Sequence, residues 1–271
     1  MPMKWLAATI LLLSTAAPSV AAPPPALLAP SGPWHVEYAG TMCLLSRPYG
    51  PKSEIRLILK PSMIGDKLEL IVTTAKTLIV ERRSGKVAML IAGNPVGEAM
   101  SFSAYSTAKA RLVRIWNADE KLTLSSLRDT LAIDAQGEGR YQFVLTGIER
   151  AQPAVNACLD QLRTMYNVTK NDLAPIVTEP DGIVRKWFRA NDYPAAALAK
   201  NQSGTVGALL WVEATGLVSK CEIIEPTAAK ILEEQSCAIL QRRGRFVPAK
   251  DAAGRAIRAP VTTRINWQLA D

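Results

Sequence analysis

Histidine is almost absent from this sequence, and with it most routes to catalysis. The 271 residues include one histidine, His35, so a Ser-His-Asp or Cys-His site would have to use that imidazole. His35 follows Trp34 at the start of the first predicted strand, a position typical of a structural or exposed side chain. The GxSxG, HExxH and GxxxxGK[ST] motifs are also missing. We therefore expect a protein that is not an enzyme, with no catalytic, cofactor-binding or metal-binding residue.

Aromatic residues are scarce and basic residues are dispersed. Aromatic residues make up 6% of the chain, which disfavours a stacking platform for single-stranded nucleic acid. The formal net charge of +8 would suit nucleic acid, anionic lipid or acidic partners. The tightest basic groups, however, are only Arg82–Arg83 and the group of Arg242, Arg243 and Arg245. Neither resembles a basic nucleic-acid arm, so we expect no nucleic-acid partner.

Long apolar runs are confined to the first 22 residues. Lys4 precedes the apolar stretch Trp5–Leu13, and small residues follow as far as Ala22, which is the pattern of a secretory signal peptide. Cleavage after Ala21 predicts a signal peptide over residues 1–21 and a periplasmic mature protein. The alternative is an inner-membrane anchor, because residues 5–22 carry no charge and approach the lower limit of a membrane span.

Four cysteines are present, and none forms a CxxC pair. With one histidine available, they are poorly suited to a zinc site. An even number of cysteines behind an export signal favours two structural disulfides. Of the three possible pairings, we predict Cys43–Cys158 and Cys221–Cys237, because each bond then falls within one predicted domain.

The sequence predicts two domains of the α+β class. Residues 22–32 form a Pro-rich spacer, residues 33–170 a β-rich domain, residues 171–182 a polar linker, and residues 183–271 a C-terminal domain. The β-rich domain is predicted to be an antiparallel sheet, sandwich or small barrel closed by a helix over residues 148–166. Its strands are predicted at residues 54–60, 67–73, 77–81, 86–91, 111–116, 130–135 and 140–145.

The C-terminal region has a more regular pattern. It predicts a short helix at Ala195–Lys200, strands at Gly204–Glu213 and Leu217–Glu225, a helix from about Thr227 to Arg243, and a last strand at Pro260–Leu269. Leu232, Ile239 and Leu240 are the expected core positions of the longer helix.

Residues 185–269 resemble the C-terminal domain of the TonB energy-transducer family. The features that carry the resemblance occur in the family's order: Tyr193-Pro194, the Gly-X-Val of Gly204–Val206, the hairpin before Val218, the Arg-Phe-X-Pro-Ala of Arg245–Ala249, and Ile265-Asn266-Trp267. The resemblance implies a three-stranded antiparallel sheet with two helices on one face. Cys221 and Cys237 would then join the second strand to the longer helix.

The resemblance also implies a role in binding protein. The family's domain recognises an extended segment of an outer-membrane receptor, the TonB box, which adds as a strand to a sheet edge. By this resemblance, the partner-binding residues are Tyr193, Pro194, Thr262, Thr263, Arg264, Ile265, Asn266 and Trp267. The side chains of Ile265 and Trp267 could equally be ordinary core residues, which would leave the strand backbone as the binding element.

Two features depart from the family. A transducer has an uncleaved N-terminal helix and a long Pro-rich linker, whereas this chain has a signal-like leader and a short spacer over residues 22–32. Such a spacer reaches at most about 30 Å. The β-rich domain instead resembles small periplasmic proteins of the invasion-associated locus B type, on the basis of Gly32-Pro33-Trp34, Cys43, Leu145-X-Gly147 and Cys158.

These observations favour a non-catalytic periplasmic protein that binds an extended segment of an envelope partner, such as an outer-membrane receptor. The first alternative is a membrane-anchored energy transducer. The second is a secreted enzyme or inhibitor that acts through the N-terminal β domain.

Overall fold

The computed structural model describes residues 25–75, 83–96, 100–106, 110–117, 122–226 and 229–269. The predicted signal peptide, the strand predicted at residues 77–81 and the helix start predicted at Thr227 lie outside these ranges. Within them, many strands and few helices form an α+β structure, which confirms the predicted class. No helix in the described ranges is long and apolar enough to cross a membrane.

Eleven strands form one sheet in the N-terminal part of the chain. Their order is β1, β11, β10, β6, β8, β9, β5, β4, β3, β2, with β7 paired to β6. The bounds are β1 (Leu27–Leu28), β2 (His35–Ala39), β3 (Met42–Tyr49), β4 (Ile55–Pro61), β5 (Leu68–Thr74), β6 (Arg83–Ile91), β7 (Asn94–Pro95), β8 (Met100–Ser106), β9 (Arg111–Asn117), β10 (Thr130–Ala135) and β11 (Gly139–Val144).

This sheet curls because β6 changes partner along its length. Residues 83–86 pair with β8, and residues 87–91 pair with β10. The two ends of the sheet approach each other through the spacer: β1 pairs in parallel with β11, and Pro30 forms a bridge to Tyr49 of β3. Alternating residues such as Leu57, Leu59 and Leu70 are fully buried inside the curl.

Helix α1 (Ile148–Met165) closes this core. Val155, Leu159 and Leu162 are buried on its inner face. Cys158 on the same helix is bonded to Cys43 of β3, as predicted. A short helix, α2 (Lys170–Leu173), follows, and the chain then runs beside residues 247–250, with bridges Thr178 to Lys250 and Asp181 to Val247.

The C-terminal part forms the predicted three-stranded antiparallel sheet, in the order β13, β12, β16. Two short 3-10 turns (Val184–Trp187 and Ala190–Asp192) precede it. The remaining elements are α3 (Ala195–Ala199), β12 (Gly204–Val212), β13 (Val218–Pro226), α4 (Lys230–Arg243), β14 (Ala249–Lys250), β15 (Ala256–Ile257) and β16 (Ala259–Trp267).

Helix α4 covers one face of this sheet. Its Leu232, Ile239 and Leu240 are fully buried, and they share a core with the β12 residues Val206 and Leu210. The predicted disulfide Cys221–Cys237 joins β13 to α4. The opposite face contributes Leu209, Trp211 and Ile224 to the core of the N-terminal sheet, so the C-terminal sheet is covered on both faces.

Candidate interaction site

Strand β16 lies at an edge of the C-terminal sheet. It is nine residues long and, within the described part of the chain, pairs only with β12, in an unbroken register from Gly204 opposite Trp267 to Val212 opposite Ala259. Among the described residues, no backbone hydrogen bond outside that ladder reaches β16. Helix α2 and the 3-10 turn at residues 184–187 lie beside the strand. The second edge strand, β13, has two register irregularities against β12.

Pro260 indicates which backbone groups of β16 point outward. A proline within a strand occurs at an edge, with its missing N–H on the solvent side. Because β16 has no bulge and backbone groups alternate in direction, Thr262, Arg264 and Asn266 share the orientation of Pro260. We infer that these three residues direct their N–H and C=O groups away from β12.

The side chains of β16 separate onto two faces. Val261, Ile265 and Trp267 are buried in the core beneath α4. Thr262 and Arg264 lie on the opposite face, toward the N-terminal sheet: the Thr262 hydroxyl is 3.0 Å from that of Ser62. Because Ile265 and Trp267 are buried in the core beneath α4, their side chains have little room to contact a partner.

An aromatic cluster fixes the C-terminal end of β16. The Trp267 ring packs edge-on against Phe188 and Tyr193. The indole Nε1 of Trp267 donates a hydrogen bond of 2.9 Å to the buried Ser236 hydroxyl, and Tyr193 donates from its hydroxyl to the carbonyl of Gln202. Tyr193 therefore belongs to the support of β16.

An ion pair holds the segment before α3 onto α4. The guanidinium of Arg243 donates two hydrogen bonds to the Asp192 carboxylate, of 2.6 and 2.9 Å. These bonds are the main reason that the pKa of Asp192 is lowered. Pro194 caps the start of α3 without a side-chain hydrogen bond, so Tyr193 and Pro194 are held by Asp192 on one side and Trp267 on the other.

Five charged side chains form a network where the C-terminal sheet meets the N-terminal sheet. Glu69 accepts hydrogen bonds from Arg264 at 2.5 Å and from Arg114 at 2.6 Å. Glu225 accepts one from Arg264 at 2.7 Å and another from Lys60. Lys60 also lies 3.7 Å from Glu69. The network therefore connects β4, β5 and β9 to β13 and β16.

Within this network, burial and the neighbouring opposite charges shift the pKa values of the side chains in opposite directions. Burial is the main reason that the pKa of Lys60 is lowered, and Arg264 adds to the effect. Burial alone would raise the pKa of Glu225, but Arg264 and Lys60 outweigh it, and the pKa of Glu225 lies below its ordinary value. Glu69 and Glu225 raise the pKa of Arg264 against the effect of burial. For Glu225 and Arg264 the neighbouring opposite charges thus outweigh burial, whereas for Lys60 burial and the like charge of Arg264 outweigh the two carboxylates.

The absence of a side chain at Gly207 leaves room for this network. This glycine lies opposite Arg264 on one side and Glu225 on the other, so their side chains meet across a position that has no side chain. A Cβ at residue 207 would lie 2.8 Å from the Cβ and Cγ of Glu225, closer than real Cβ contacts allow. Val206 of β12 faces the core beneath α4, and Gly207, the next residue, faces the charged side.

A cavity of about 470 Å³ lies at the same junction. Its C-terminal wall includes Thr205, Ile224, Glu225 and residues 262–264 and 266, and its N-terminal wall includes Met63, Lys67 and Leu68. Thr262 and Arg264 face the N-terminal sheet while Thr263 faces the other way, so the cavity reaches the backbone edge of β16. Its volume is within the range of ordinary ligand sites.

The structure places the predicted partner-binding residues in three settings. Thr262, Thr263, Arg264 and Asn266 line the cavity, Ile265 and Trp267 are buried in the core, and Tyr193 and Pro194 lie at the far end of the strand. Sequence reasoning missed Lys60, Glu69, Arg114 and Glu225. Within their strands these residues have the pattern of ordinary solvated charges. The one local signal that could have indicated the site is Gly207, because a glycine inside a strand often lies where another group comes close.

Other candidate sites receive little support. His35 is exposed on β2. In the described ranges, no group of three or more His, Cys, Asp or Glu side chains is arranged to hold a metal ion. A second cavity beside Arg47 and Arg150 lies at the start of α1, where Arg47 already donates to the carbonyls of Gly32 and Thr146.

The C-terminal part is a small α+β unit with strand β16 at an edge of its sheet, an architecture typical of domains that bind an extended segment by strand addition. Residues 189–269 match the family model described as Gram-negative bacterial TonB protein C-terminal, so this part of the chain is a TonB-type C-terminal domain and the predicted resemblance is confirmed. The match begins at residue 189 and leaves the N-terminal sheet outside it. No curated protein shows a significant match to the chain.

Proposed function

We propose that this protein is a non-catalytic periplasmic binding protein that captures an extended segment of an envelope partner along the outer edge of β16. The match of residues 189–269 to the TonB C-terminal family carries the proposal, because such domains interact with other envelope proteins, including outer-membrane receptors. The partner's segment would add to the sheet as a fourth strand.

The two edges of the sheet are not equally suited to a guest strand. The pairing of β12 with β13 is irregular at two points, between Gly207 and Ala208 and between Trp211 and Val212. Bulges of this kind twist an edge away from further pairing. β16 has no such irregularity over its nine residues, which favours β16 as the edge that receives the segment.

Backbone pairing alone would bind weakly. Thr262, Arg264 and Asn266 offer one N–H and one C=O each, and at about 1 kcal/mol net per hydrogen bond these contribute about 6 kcal/mol. Micromolar affinity requires about 8 kcal/mol. Side chains of the segment must therefore add contacts, and the cavity beside β16 offers a place for them.

Selection from a peptide library tests the proposal. Random nine-residue peptides displayed on phage are selected on the full chain without its predicted leader, and the best one is synthesised with a fluorescent label. Each backbone amide of that peptide is then N-methylated in turn. Strand addition predicts that methylation of alternate residues weakens binding about tenfold, while methylation of the intervening residues has little effect. A library that yields no binder, as expected if α2 blocks the edge, would contradict the proposal.

Asn266 provides the matching change in the protein. Its side chain is exposed and its N–H is among those inferred to point outward. Asn266→Pro removes this donor, whereas Asn266→Ala keeps it. We expect the proline variant to bind the selected peptide about five- to tenfold more weakly and the alanine variant to bind normally. Equal affinities would show that the peptide binds elsewhere.

The proposed location has its own test. N-terminal sequencing of the protein from the producing cell should give a chain that begins at Ala22 or close to it. A chain that retains residues 1–21 would favour the membrane-anchored alternative instead.

A further inference from the structure

We propose that the C-terminal domain has a second interaction surface, around Ile183, Leu217 and Val247, which rests on an anionic lipid bilayer. The surface lies at the turn between β12 and β13, which follows Val212 at the end of the C-terminal sheet opposite Trp267. Its binding therefore does not depend on the capture of a segment by β16, and it goes beyond the proposed function.

Three backbone segments lie side by side at this end of the domain. The N–H of Phe246, just after α4, donates a hydrogen bond of 2.9 Å to the carbonyl of Gly216 in the turn between β12 and β13. On the other side, Val247 and Asp181 exchange two backbone hydrogen bonds, of 2.8 and 3.0 Å. The segment after α4 is thus flanked by the turn on one side and by the linker after α2 on the other.

Each of these segments exposes a large apolar side chain. Leu217 in the turn is 43% exposed, Val247 after α4 is 59% exposed, and Ile183 in the linker is 51% exposed. Val177 is 69% exposed, and its N–H donates to the carbonyl of Lys250 at 2.9 Å. In the described part of the chain nine large apolar side chains are exposed, and these are four of them. A single exposed apolar side chain is ordinary, whereas a group on adjoining segments indicates an interaction surface.

The charges around these side chains are mainly positive. The Trp187 ring packs against Phe246 with 4.8 Å between ring centroids, which brings the 3-10 turn at residues 184–187 beside the end of α4. Five exposed cations on these segments have no ion pair within the described ranges: Arg185, Lys186, Arg242, Arg245 and Lys250. Of the carboxylates nearby, Glu213 and Asp251 are paired with Arg258 and Arg255, which leaves Asp181 to oppose the five cations.

A bilayer suits this surface better than a small ligand or a folded partner. A small ligand needs a concave site, and neither of the two cavities described above is lined by these residues. A folded partner needs a matching shape over a large area. A bilayer needs no matching shape, because apolar side chains enter the boundary between headgroups and acyl chains while Lys and Arg remain at the anionic headgroups.

Binding to vesicles tests the proposal. The full chain without its predicted leader is titrated with vesicles of phosphatidylglycerol and phosphatidylcholine in equal parts, and with vesicles of phosphatidylcholine alone. Flotation measures the bound fraction. Because several cations act together, we expect binding to the mixed vesicles to be stronger by about tenfold or more.

Two pairs of apolar variants test the contribution of the exposed side chains. The double variant Ile183→Ser with Val247→Ser should bind the mixed vesicles about tenfold more weakly, because neither side chain can then enter the bilayer. Leu90→Ser with Leu198→Ser is the control. These leucines are 40% and 47% exposed on β6 and α3, outside the proposed surface, and their replacement should not change binding.

Two pairs of charge variants separate this surface from the net charge of the whole chain. Arg185→Gln with Arg242→Gln should weaken binding about twentyfold, since each cation near an anionic bilayer strengthens binding about fivefold. Lys200→Gln with Lys230→Gln removes the same charge from the end of α3 and the start of α4, and should weaken binding less than about twofold.

The possible outcomes have distinct meanings. Equal losses from the two charge pairs would show that net charge alone attracts the chain, and would overturn the proposal. Full binding by the Ile183 and Val247 variant would do the same. No binding to the mixed vesicles would also overturn it and would favour an acidic protein as the occupant. If the serine variant does not fold, the glutamine variants at exposed positions decide the question.

Discussion

The two faces of the C-terminal sheet are built differently. The face beneath α4 is apolar, with Val206, Leu210 and Ile265 in one core, and a disulfide from Cys221 to Cys237 fixes the helix to it. The face toward the N-terminal sheet combines apolar residues such as Leu209 with the charged network around Arg264. No disulfide crosses this second face among the described residues.

This difference has a consequence for how each face can change. Close-packed apolar contacts with a covalent link tolerate little rearrangement. On the second face, Lys60, Glu69 and Glu225 are ion-paired and only about a tenth exposed, and a buried ion pair that loses one partner is strongly destabilised. The helix face is thus held by packing and a covalent bond, whereas the second face depends on each charge keeping its partner.

The largest expected effect concerns neighbouring leucines of β12 that lie on opposite faces. Leu209 and Leu210 are both fully buried, so truncation to alanine should lower the free energy of unfolding by about 2 to 5 kcal/mol in each case. Leu210→Ala should speed amide hydrogen exchange in α4, whereas Leu209→Ala should leave α4 protected and speed exchange near the junction with β4 and β5. Denaturant unfolding and hydrogen-exchange mass spectrometry measure the two effects. The same exchange pattern in both variants would contradict the distinction between the faces.

Removal of the disulfide on the helix face is expected to have the next largest effect. Cys221 and Cys237 are separated by 16 residues, and in the chain-entropy treatment a loop of this size contributes about 3 kcal/mol. The double variant Cys221→Ala with Cys237→Ala should lose about this much and should still bind the selected peptide, because β16 keeps its pairing with β12. Thermal unfolding and peptide titration provide the two measurements. Loss of peptide affinity in a folded variant would show that the helix face also governs binding.

The pH dependence of stability in a Glu225 variant tests the charged face. Because its folded pKa is lowered by Arg264 and Lys60, its contribution to stability is fully present above the unfolded-state pKa of about 4.3 and disappears as the pH falls through the folded-state pKa. Glu225→Gln should cost about 2 kcal/mol at pH 7 and should lose less stability on acidification than the unaltered chain. Melting curves from pH 7 to pH 3 give the comparison. As a control, Glu213→Gln, which removes an exposed link to Arg258, should alter the pH profile little.

Much of the fold could be predicted from the sequence because its signals are local. Alternating apolar residues indicate β5, and the predicted core residues Leu232, Ile239 and Leu240 are fully buried. Both disulfides could be predicted because the cysteines divide between two regions. β8 was missed because its sequence, MSFSAYS, alternates serine with other residues and lacks the branched side chains that mark a strand.

The meeting of charged side chains between the two sheets could not be predicted in the same way. Lys60, Glu69 and Arg114 are separated from Glu225 and Arg264 by more than 100 residues of chain, and no local pattern indicates that they meet. The orientation of one sheet against the other decides which strand face is solvated. A charged residue on a half-buried strand therefore has two interpretations in sequence, an exposed side chain or a buried ion pair, and only the packed structure separates them.

The smallest effect on stability is expected at Lys67, and it is the most useful one for the binding hypothesis. Its side chain and that of its partner Glu179 are 56% and 32% exposed, so Lys67→Ala should change the free energy of unfolding by less than about 0.5 kcal/mol. Lys67 also lines the cavity beside β16, so the same variant should change the affinity of the selected peptide about threefold if the peptide enters the cavity. Chemical denaturation and fluorescence anisotropy measure the two quantities. A change of affinity without a loss of stability would show that the peptide enters the cavity, whereas a large loss of stability would show that Lys67 supports the loop between β4 and β5.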